Sequence, residues 1–518
     1  MNTPLLNPFF RHLGFLEDPF QSTNASDEPR IHEYFIEPPY FASVLGNPGQ
    51  PKSQVILAPR GGGKTAQRIM VERDASRKRS YLCITYDHFD RHFDAGKLNT
   101  SLYQHLSEIE KYILVALLLD MAERTDITLD LGKSERAILR WQVDNWLNDF
   151  SALSFETSIK SLSTWSERLS DLWRRYSGQI SSLISAVAQK YNLGPVDLTL
   201  TQEISSQGTA RYHLGQQINI ARKLGYQSIY VLVDRIDETA WTNQDADASF
   251  RLICPLVTDL QTLETPGLAF KFFLWDQIKD IYFDAGARRD RVKVFELRWN
   301  VSELERMLSQ RLKSFSDGRV LSFNDMCAHG DRVNVHRLVS HIGAGSPRDV
   351  IRACGRIVDE HTRTSADQTL IKPESIMRGV RTFCEERADE LYGTHIEQIR
   401  RVGHLTFTIN QIASDVFRIT AQAARQKIGQ WVNVGACTKI DEVENPGSRP
   451  LYLYGITDPR LALACVPRDD LELVMGNYMF LCRECGSVAI SDRDEIICNC
   501  GARSSLERAT SMLQDCTL

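Results

Sequence analysis

The chain has 518 residues, of which 42% are apolar and 25% charged, with a net charge of -5. That length predicts about three or four domains, and the composition is that of an ordinary globular protein. A slightly acidic chain has no whole-molecule basic field, so any nucleic-acid contact must come from a local patch.

The opening "MNTPLLNPFFRHLGF" lacks the charge and apolar core of a signal peptide. The longest apolar helical run, Tyr112 to Met121, is too short to span a bilayer, so no membrane partner is expected. Of twelve cysteines, four cluster near the C-terminus and eight are scattered. This pattern suits a reducing, cytoplasmic setting better than a disulfide framework.

The first informative stretch is "VILAPRGGGKTAQRIM", Val55 to Met70. An apolar strand, Gln54 to Ala58, precedes the glycines, and a helix is predicted from Lys64 to Ala75. A phosphate-binding loop has the pattern G-x-x-x-x-G-K-[ST]. Ala58 replaces its first glycine, while Gly61, Gly62, Gly63, Lys64 and Thr65 keep the rest. Backbone N–H groups in such a turn cradle phosphate, and the helix N-terminus favours the anion. Lys64 would reach the β- and γ-phosphates, and Thr65 would hold Mg²⁺ through its hydroxyl. Arg60 is read as an added phosphate or structural contact.

A second strand is predicted over Ser80 to Phe89, and "SIYVLVDRIDE", Ser228 to Glu238, gives another. The latter resembles a Walker B strand. Asp234 at its end would bind Mg²⁺, directly or through water. Glu238 is the first choice to activate the attacking water, with Asp237 close behind. The long interval between these strands reads mostly helical: Ser101 to Arg124, Ser134 to Phe150, Thr157 to Tyr191 and Gly208 to Leu224. Its Trp141, Trp146, Trp165 and Trp173 are read as core of a helical subdomain, the alternative being a partner-sensing face.

Next come the strand "LAFKFFLW", Leu268 to Trp275, ending at Asp276, and the basic "ARRDR" before "VKVFELRW". Arg288 or Arg289 could act as an arginine finger, in cis or on a neighbouring copy. The amphipathic helix Val301 to Leu312 leads to "GAGSPRDVIRAC", where Arg348 opens a further helix.

From Phe407 to Thr457 the pattern is that of a winged helix. Thr420 is the expected N-cap of its second helix. Ile428, Trp431 and Val432 would face inward, and Gln422, Arg425, Gln426 and Gln430 outward, toward base edges. The wing carries Asp441, Glu442 and Glu444, which would repel phosphate, and Arg449 is its main cation. Finally Cys482 and Cys485 form C-x-x-C-G, and Cys498 and Cys500 form C-x-C-G. Four thiolates suit a closed structural Zn²⁺ site, iron being the main alternative, and so small a segment would need its metal to fold.

The motifs over residues 10–390 resemble P-loop ATPases of the AAA/STAND kind, including NACHT, KAP and origin-recognition relatives. The D-x-x-D-E spacing resembles the STAND class, and the G-x-P-R-like entry resembles sensor 2, which implies that Arg348 faces the γ-phosphate. The lead-in resembles bacterial transposition-helper and secretion ATPases, in which Phe20 and Tyr34 would border the adenine. The resemblance implies an α/β fold: a P-loop parallel sheet with a large helical insertion, then a helical lid, a winged helix and a zinc ribbon. The expected boundaries are 1–50 for the lead-in, 51–300 for the core with its insertion at 97–207, 301–395 for the lid, 396–470 for the winged helix and 478–506 for the ribbon. It implies ATP rather than GTP, with Mg²⁺, in a hydrolysing switch acting on nucleic acid, DNA first, in phage defence or mobile-element biology. The alternative is a signalling or scaffold ATPase that recruits protein. A separate effector chain and a homo-oligomer are further expected partners.

Overall fold

The apolar runs become strands of one five-stranded parallel sheet in the computed structural model. It describes residues 6–517, except 29, 90–92, 95–96, 99, 124–129, 148–179, 194–209, 244, 329–332, 365–368, 445–449, 466–470 and 499. The chain divides into two units, Glu37–Leu297 and the pair Met1–Ile36 with Arg298–Leu518.

In the first unit the strands are β1 (Gln54–Ala58), β2 (Tyr81–Tyr86), β3 (Ser228–Val233), β4 (Leu268–Trp275) and β5 (Lys293–Glu296). Their order is β2-β3-β4-β1-β5. Every residue of β1, β2 and β3 is buried, as a parallel sheet covered on both faces requires. One polar exception is Lys271 on β4, whose Nζ donates to the Lys52 carbonyl and to Gln54 Oε1, each at 2.9 Å. Burial pushes its ammonium down to about 7.

Helix α1 (Lys64–Lys78) follows β1. The inserted segment contributes α2 (Leu102–Glu123), α3 (Lys133–Trp146) and α4 (Ala210–Lys223). The second half of α2, Tyr112–Met121, is buried throughout and packs in the core, as expected of an enclosed, largely apolar helical run. Trp141 stacks on His213 at 4.7 Å, and Trp146 meets the same ring edge-on at 5.3 Å. These two tryptophans are packing residues. Trp165, Trp173 and most of the predicted helix Thr157 to Tyr191 lie outside the described residues; its end forms a helix over Ile180–Tyr191.

In the second unit the lead-in folds back on α5 (Val301–Phe315). Arg311 is buried there, donating to the Pro19 and Ser22 carbonyls, to the Tyr34 hydroxyl and to the Glu28 carboxylate. Phe20 packs against Phe323 at 5.9 Å, and the Arg311 guanidinium lies 4.9 Å from the Tyr34 ring centre. This corrects the expectation that Phe20 and Tyr34 border a base: both rings are core, because α5 needs an apolar cover.

Helices α6 (Val335–Ile342), α7 (Pro347–Thr364) and α8 (Pro373–Tyr392) follow. Then come β6 (Thr406–Thr408), a π-helical turn over Gln411–Val416, α9 (Ala421–Asn433), β7 (Cys437–Val443), β8 (Leu451–Ile456) and α10 (Pro459–Cys465). The antiparallel sheet order β6-β8-β7 makes this a winged helix. Thr420 caps α9 as expected, its Oγ1 accepting from the Ala423 N–H at 3.2 Å. Trp431 and Ile428 are buried. Val432 is not: it is exposed on α9, one residue past Trp431 and so rotated off the inner face. Arg449 lies outside the described residues.

Asp349, fully buried at the start of α7, accepts from Arg387 Nε at 3.1 Å and from Arg460 on α10. Arg460 also grips Asp458, which accepts from the Tyr392 hydroxyl at 2.8 Å. Burial alone would raise the Asp458 carboxyl, but Arg460 and Tyr392 hold it below the ordinary range. Asp349→Ala would take one carboxylate from two guanidinium groups, Arg460 keeping Asp458 and Arg387 keeping Glu390, so it is expected to cost about 1.5–3 kcal/mol in chemical denaturation. A loss under roughly 1 kcal/mol would show the cluster to be replaceable.

Candidate nucleotide site and cysteine cluster

The glycine loop sits where β1 ends and α1 begins. Gly63, the residue before α1, has φ +96°, a conformation that a side chain would strain. At Gly62 an added Cβ would stand 2.9 Å from the Pro59 carbonyl oxygen. No side chain caps α1 and its first turn holds no acid. Its N–H groups are thus left for an anion. Lys64 Nζ donates to the Ala58 and Pro59 carbonyls at 3.2 and 3.4 Å, so the ammonium lies over the loop.

Asp234 ends β3 and is buried. Its Oδ2 accepts from Thr65 Oγ1 and from Arg68 Nε, both at 3.0 Å. Its Oδ1 accepts the Arg235 N–H at 2.9 Å. Arg235 itself has φ +61°, local backbone strain of the kind that collects at functional sites. Arg68 also pairs with Glu72, which accepts from Thr85 Oγ1. Burial opposes the Arg68 charge, but Glu72 and Asp234 outweigh it and hold the guanidinium charged. Sequence reasoning missed Arg68; the available signal was a basic residue in the part of α1 where apolar contacts to the sheet belong.

Asp237 is 2% exposed and Glu238's side chain 56%. Arg60 Nε donates to Asp237 Oδ2 at 3.0 Å, and Arg60 Nη2 donates to the Asp237 carbonyl at 2.8 Å. Glu238 pairs with Arg235 at 3.6 Å. The structure therefore brings Asp237 to the glycine loop and leaves the Glu238 side chain exposed. Asp276 is half-buried just after β4.

Arg288 pairs with Asp290 at 2.8 Å, and the Arg289 guanidinium lies 3.5 Å from the Phe283 ring centre. Both precede β5, which runs parallel to β1. They stand at the opposite end of the strands from the loop that follows β1. A finger acting in cis is corrected by this topology; a contact with a neighbouring copy is the alternative that stays. Arg348 belongs to the other unit, where its Nε is buried without a hydrogen-bond partner among the described residues.

A glycine loop after β1, an uncapped helix, and a threonine joined to a buried aspartate at the end of β3 are all present, with β4 lying between those two strands.

The fold is that of a P-loop NTPase.

No family model matches the chain, and no curated protein does. Among solved structures it is similar to the ORC1 protein of Aeropyrum pernix, solved in complex with DNA. That match has 11% identity and a TM-score of 0.39, over 86% of this chain and 94% of that one. It is also similar to RuvB of Thermotoga maritima at 15% identity and TM-score 0.22, over 44% of this chain and 67% of that one. A second structure of that RuvB, the Holliday junction branch migration motor, gives 15% identity and TM-score 0.22, over 48% and 82%. At these scores the reading of the site rests on this chain's own geometry.

Outside the P-loop unit, two hairpins carry the cysteines: β9 (Met479–Leu481) with β10 (Val488–Ile490), and β11 (Glu495–Ile497) with β12 (Arg503–Ser505). Gly486 and Gly501, both at positive φ, turn the chain after each pair. Cys482 and Cys500 sulfurs are 3.6 Å apart, Cys485 and Cys498 sulfurs 3.5 Å, and all four lie within 4.8 Å of one another. A Zn–S bond of about 2.3 Å implies tetrahedral edges of about 3.8 Å, so the sulfurs fit an ion held by four thiolates. The residues around the cluster tie it down: Arg503 reaches Asp441 of the wing at 2.9 Å, and Asp515 beyond it meets His341 at 2.7 Å. Chelation is therefore expected to unfold the segment after residue 478, seen as lost amide protection, while ATP binding survives. Loss of ATP binding with the metal would contradict that independence.

Proposed function

We propose that the chain binds and hydrolyses ATP and uses it as a switch acting on nucleic acid, with DNA the first choice. The observation that carries the nucleotide half is Thr65 Oγ1 held on Asp234 Oδ2 at 3.0 Å, directly beside the glycine loop. When bound there, Mg²⁺ would neutralise phosphate charge. Thr65 and Asp234 would hold it. Lys64 would leave the Ala58 and Pro59 carbonyls for the β- and γ-phosphates. Asp237, buried beside the loop, would orient the attacking water. The choice of ATP over GTP comes from the family resemblance.

The nucleic-acid half rests on the winged helix. Gln422, Arg425, Gln426 and Gln430 lie along α9, and all four are exposed. The acids expected to repel phosphate are partly neutralised: Asp441 by Arg503 at 2.9 Å and Glu442 by Lys439 at 2.7 Å. We further propose a structural Zn²⁺ on Cys482, Cys485, Cys498 and Cys500; metal analysis of the purified protein separates it from iron. Arg288 and Arg289 would serve a neighbouring copy in a homo-oligomer, and Arg348 remains the candidate γ-phosphate sensor. Phage defence or mobile-element biology is proposed from the sequence resemblance alone.

Turnover of ATP, measured with and without double- and single-stranded DNA and RNA, tests this reading. Turnover is expected to rise with DNA and to vanish in Lys64→Ala. It should fall by roughly 10²–10⁴ in Asp237→Asn, with ATP binding kept. Arg425→Ala is expected to weaken DNA binding and flatten its salt dependence. Indifference to every nucleic acid would sink the DNA half and favour a protein-recruiting ATPase.

A further inference from the structure

Arg60 lies within the glycine loop, where a cation is expected to meet phosphate. Its guanidinium is instead committed elsewhere. Nε holds Asp237 Oδ2 at 3.0 Å, Nη2 holds the Asp237 backbone carbonyl at 2.8 Å, and the group lies 4.6 Å from the Trp275 ring centre. Trp275 ends β4, the strand between β1 and β3. The arginine thus grips both the side chain and the main chain of Asp237. The indole limits its sideways movement. The other carboxylate oxygen, Asp237 Oδ1, is buried and has no hydrogen-bond partner among the described residues. A buried acceptor left unmade is costly, and it is suited to a donor that arrives with the substrate.

We propose that Arg60 is a positioning residue for hydrolysis rather than a phosphate ligand: it fixes Asp237 so that Oδ1 alone is free for the attacking water. This rests on the ATPase reading above. In the step concerned, the water oxygen bonds to the γ-phosphorus and the bond from that phosphorus to the β,γ-bridging oxygen breaks. One water proton passes to Oδ1 and is later returned to the departing phosphate, so ATP and water give ADP and phosphate. For Arg60 to reach the phosphate it would have to leave Asp237 as a buried, unpaired carboxylate. A lysine could not replace it, having one compact charge where two donors in a fork are needed.

The full chain and its Arg60→Gln, Arg60→Lys, Asp237→Asn and Arg60→Gln/Asp237→Asn variants would be compared by kcat and by the equilibrium Kd for ATP, with Lys64→Ala beside them. Arg60→Gln is expected to lower kcat by roughly 10- to 100-fold while ATP Kd stays near wild type, which also shows that the variant folds. Arg60→Lys should recover little. The double variant should be no slower than Asp237→Asn alone. An Arg60→Gln chain that loses affinity but keeps kcat, or a double variant in which the two losses multiply, overturns the positioning role and makes Arg60 a phosphate contact. A wild type that binds ATP but turns over no faster than Lys64→Ala overturns the hydrolysis reading itself, and the positioning role with it. Should Arg60→Gln fail to bind through misfolding, Arg60→Lys decides: near-wild-type kcat there overturns the proposal, and a low kcat with unchanged Kd supports it.

Discussion

One carboxylate oxygen organises the nucleotide unit. Oδ2 of Asp234 accepts from Thr65 on the first turn of α1 and from Arg68 one turn later. It ties the helix after the glycine loop to the end of β3, although β4 lies between β3 and β1 in the sheet. Breaking a buried pair of this kind costs about 3–5 kcal/mol, so the loop, α1 and the end of β3 hold one geometry. The same Asp234 accepts the Arg235 N–H in a left-handed turn, and that turn delivers Asp237 to Arg60. The aspartate proposed to hold the metal, the glycine loop and the acid proposed to orient water are thereby fixed by a single anchor.

Much of this was legible because its chemistry is local in sequence. The glycines, Lys64 and Thr65 are consecutive, the apolar run before Asp234 is unbroken, and the cysteines come in two close pairs. What stayed hidden depends on partners far apart in the chain. Glu238 looked the better base, with Asp237 close behind, since nothing local shows that Arg60, distant in sequence, reaches back to Asp237. Arg68 drew no reading, because its partners Asp234 and Glu72 meet it only in the folded chain. Phe20 and Tyr34 looked free for a ligand until α5 was seen to need them, with Arg311 drawing Glu28 and Tyr34 around itself. The ARRDR arginines looked well placed until the parallel register of β5 and β1 put them at the opposite end of the strands. Val432 was misread by one step of helical rotation.

The second unit is held differently. Its lid helices and winged helix share the buried Asp349–Arg460–Asp458 cluster, while the cysteine segment is too small to bury a core of its own. Charge pairing specifies the first arrangement; the four sulfurs specify the second. Two of the wing acids that seemed to argue against phosphate contact, Glu442 and Asp441, are paired with Lys439 and Arg503, the second pairing arising only when the cysteine segment folds beside the wing.

The central claim is that Thr65 and Asp234 form the metal-assisted half of a nucleoside-triphosphate site. Equilibrium binding of ATP to the purified chain, with and without Mg²⁺, tests it most directly when Asp234→Asn is measured beside the wild type. The predicted result is saturable binding that Mg²⁺ tightens in the wild type and leaves nearly unchanged in Asp234→Asn. No binding, or an equal Mg²⁺ effect in both proteins, would contradict it.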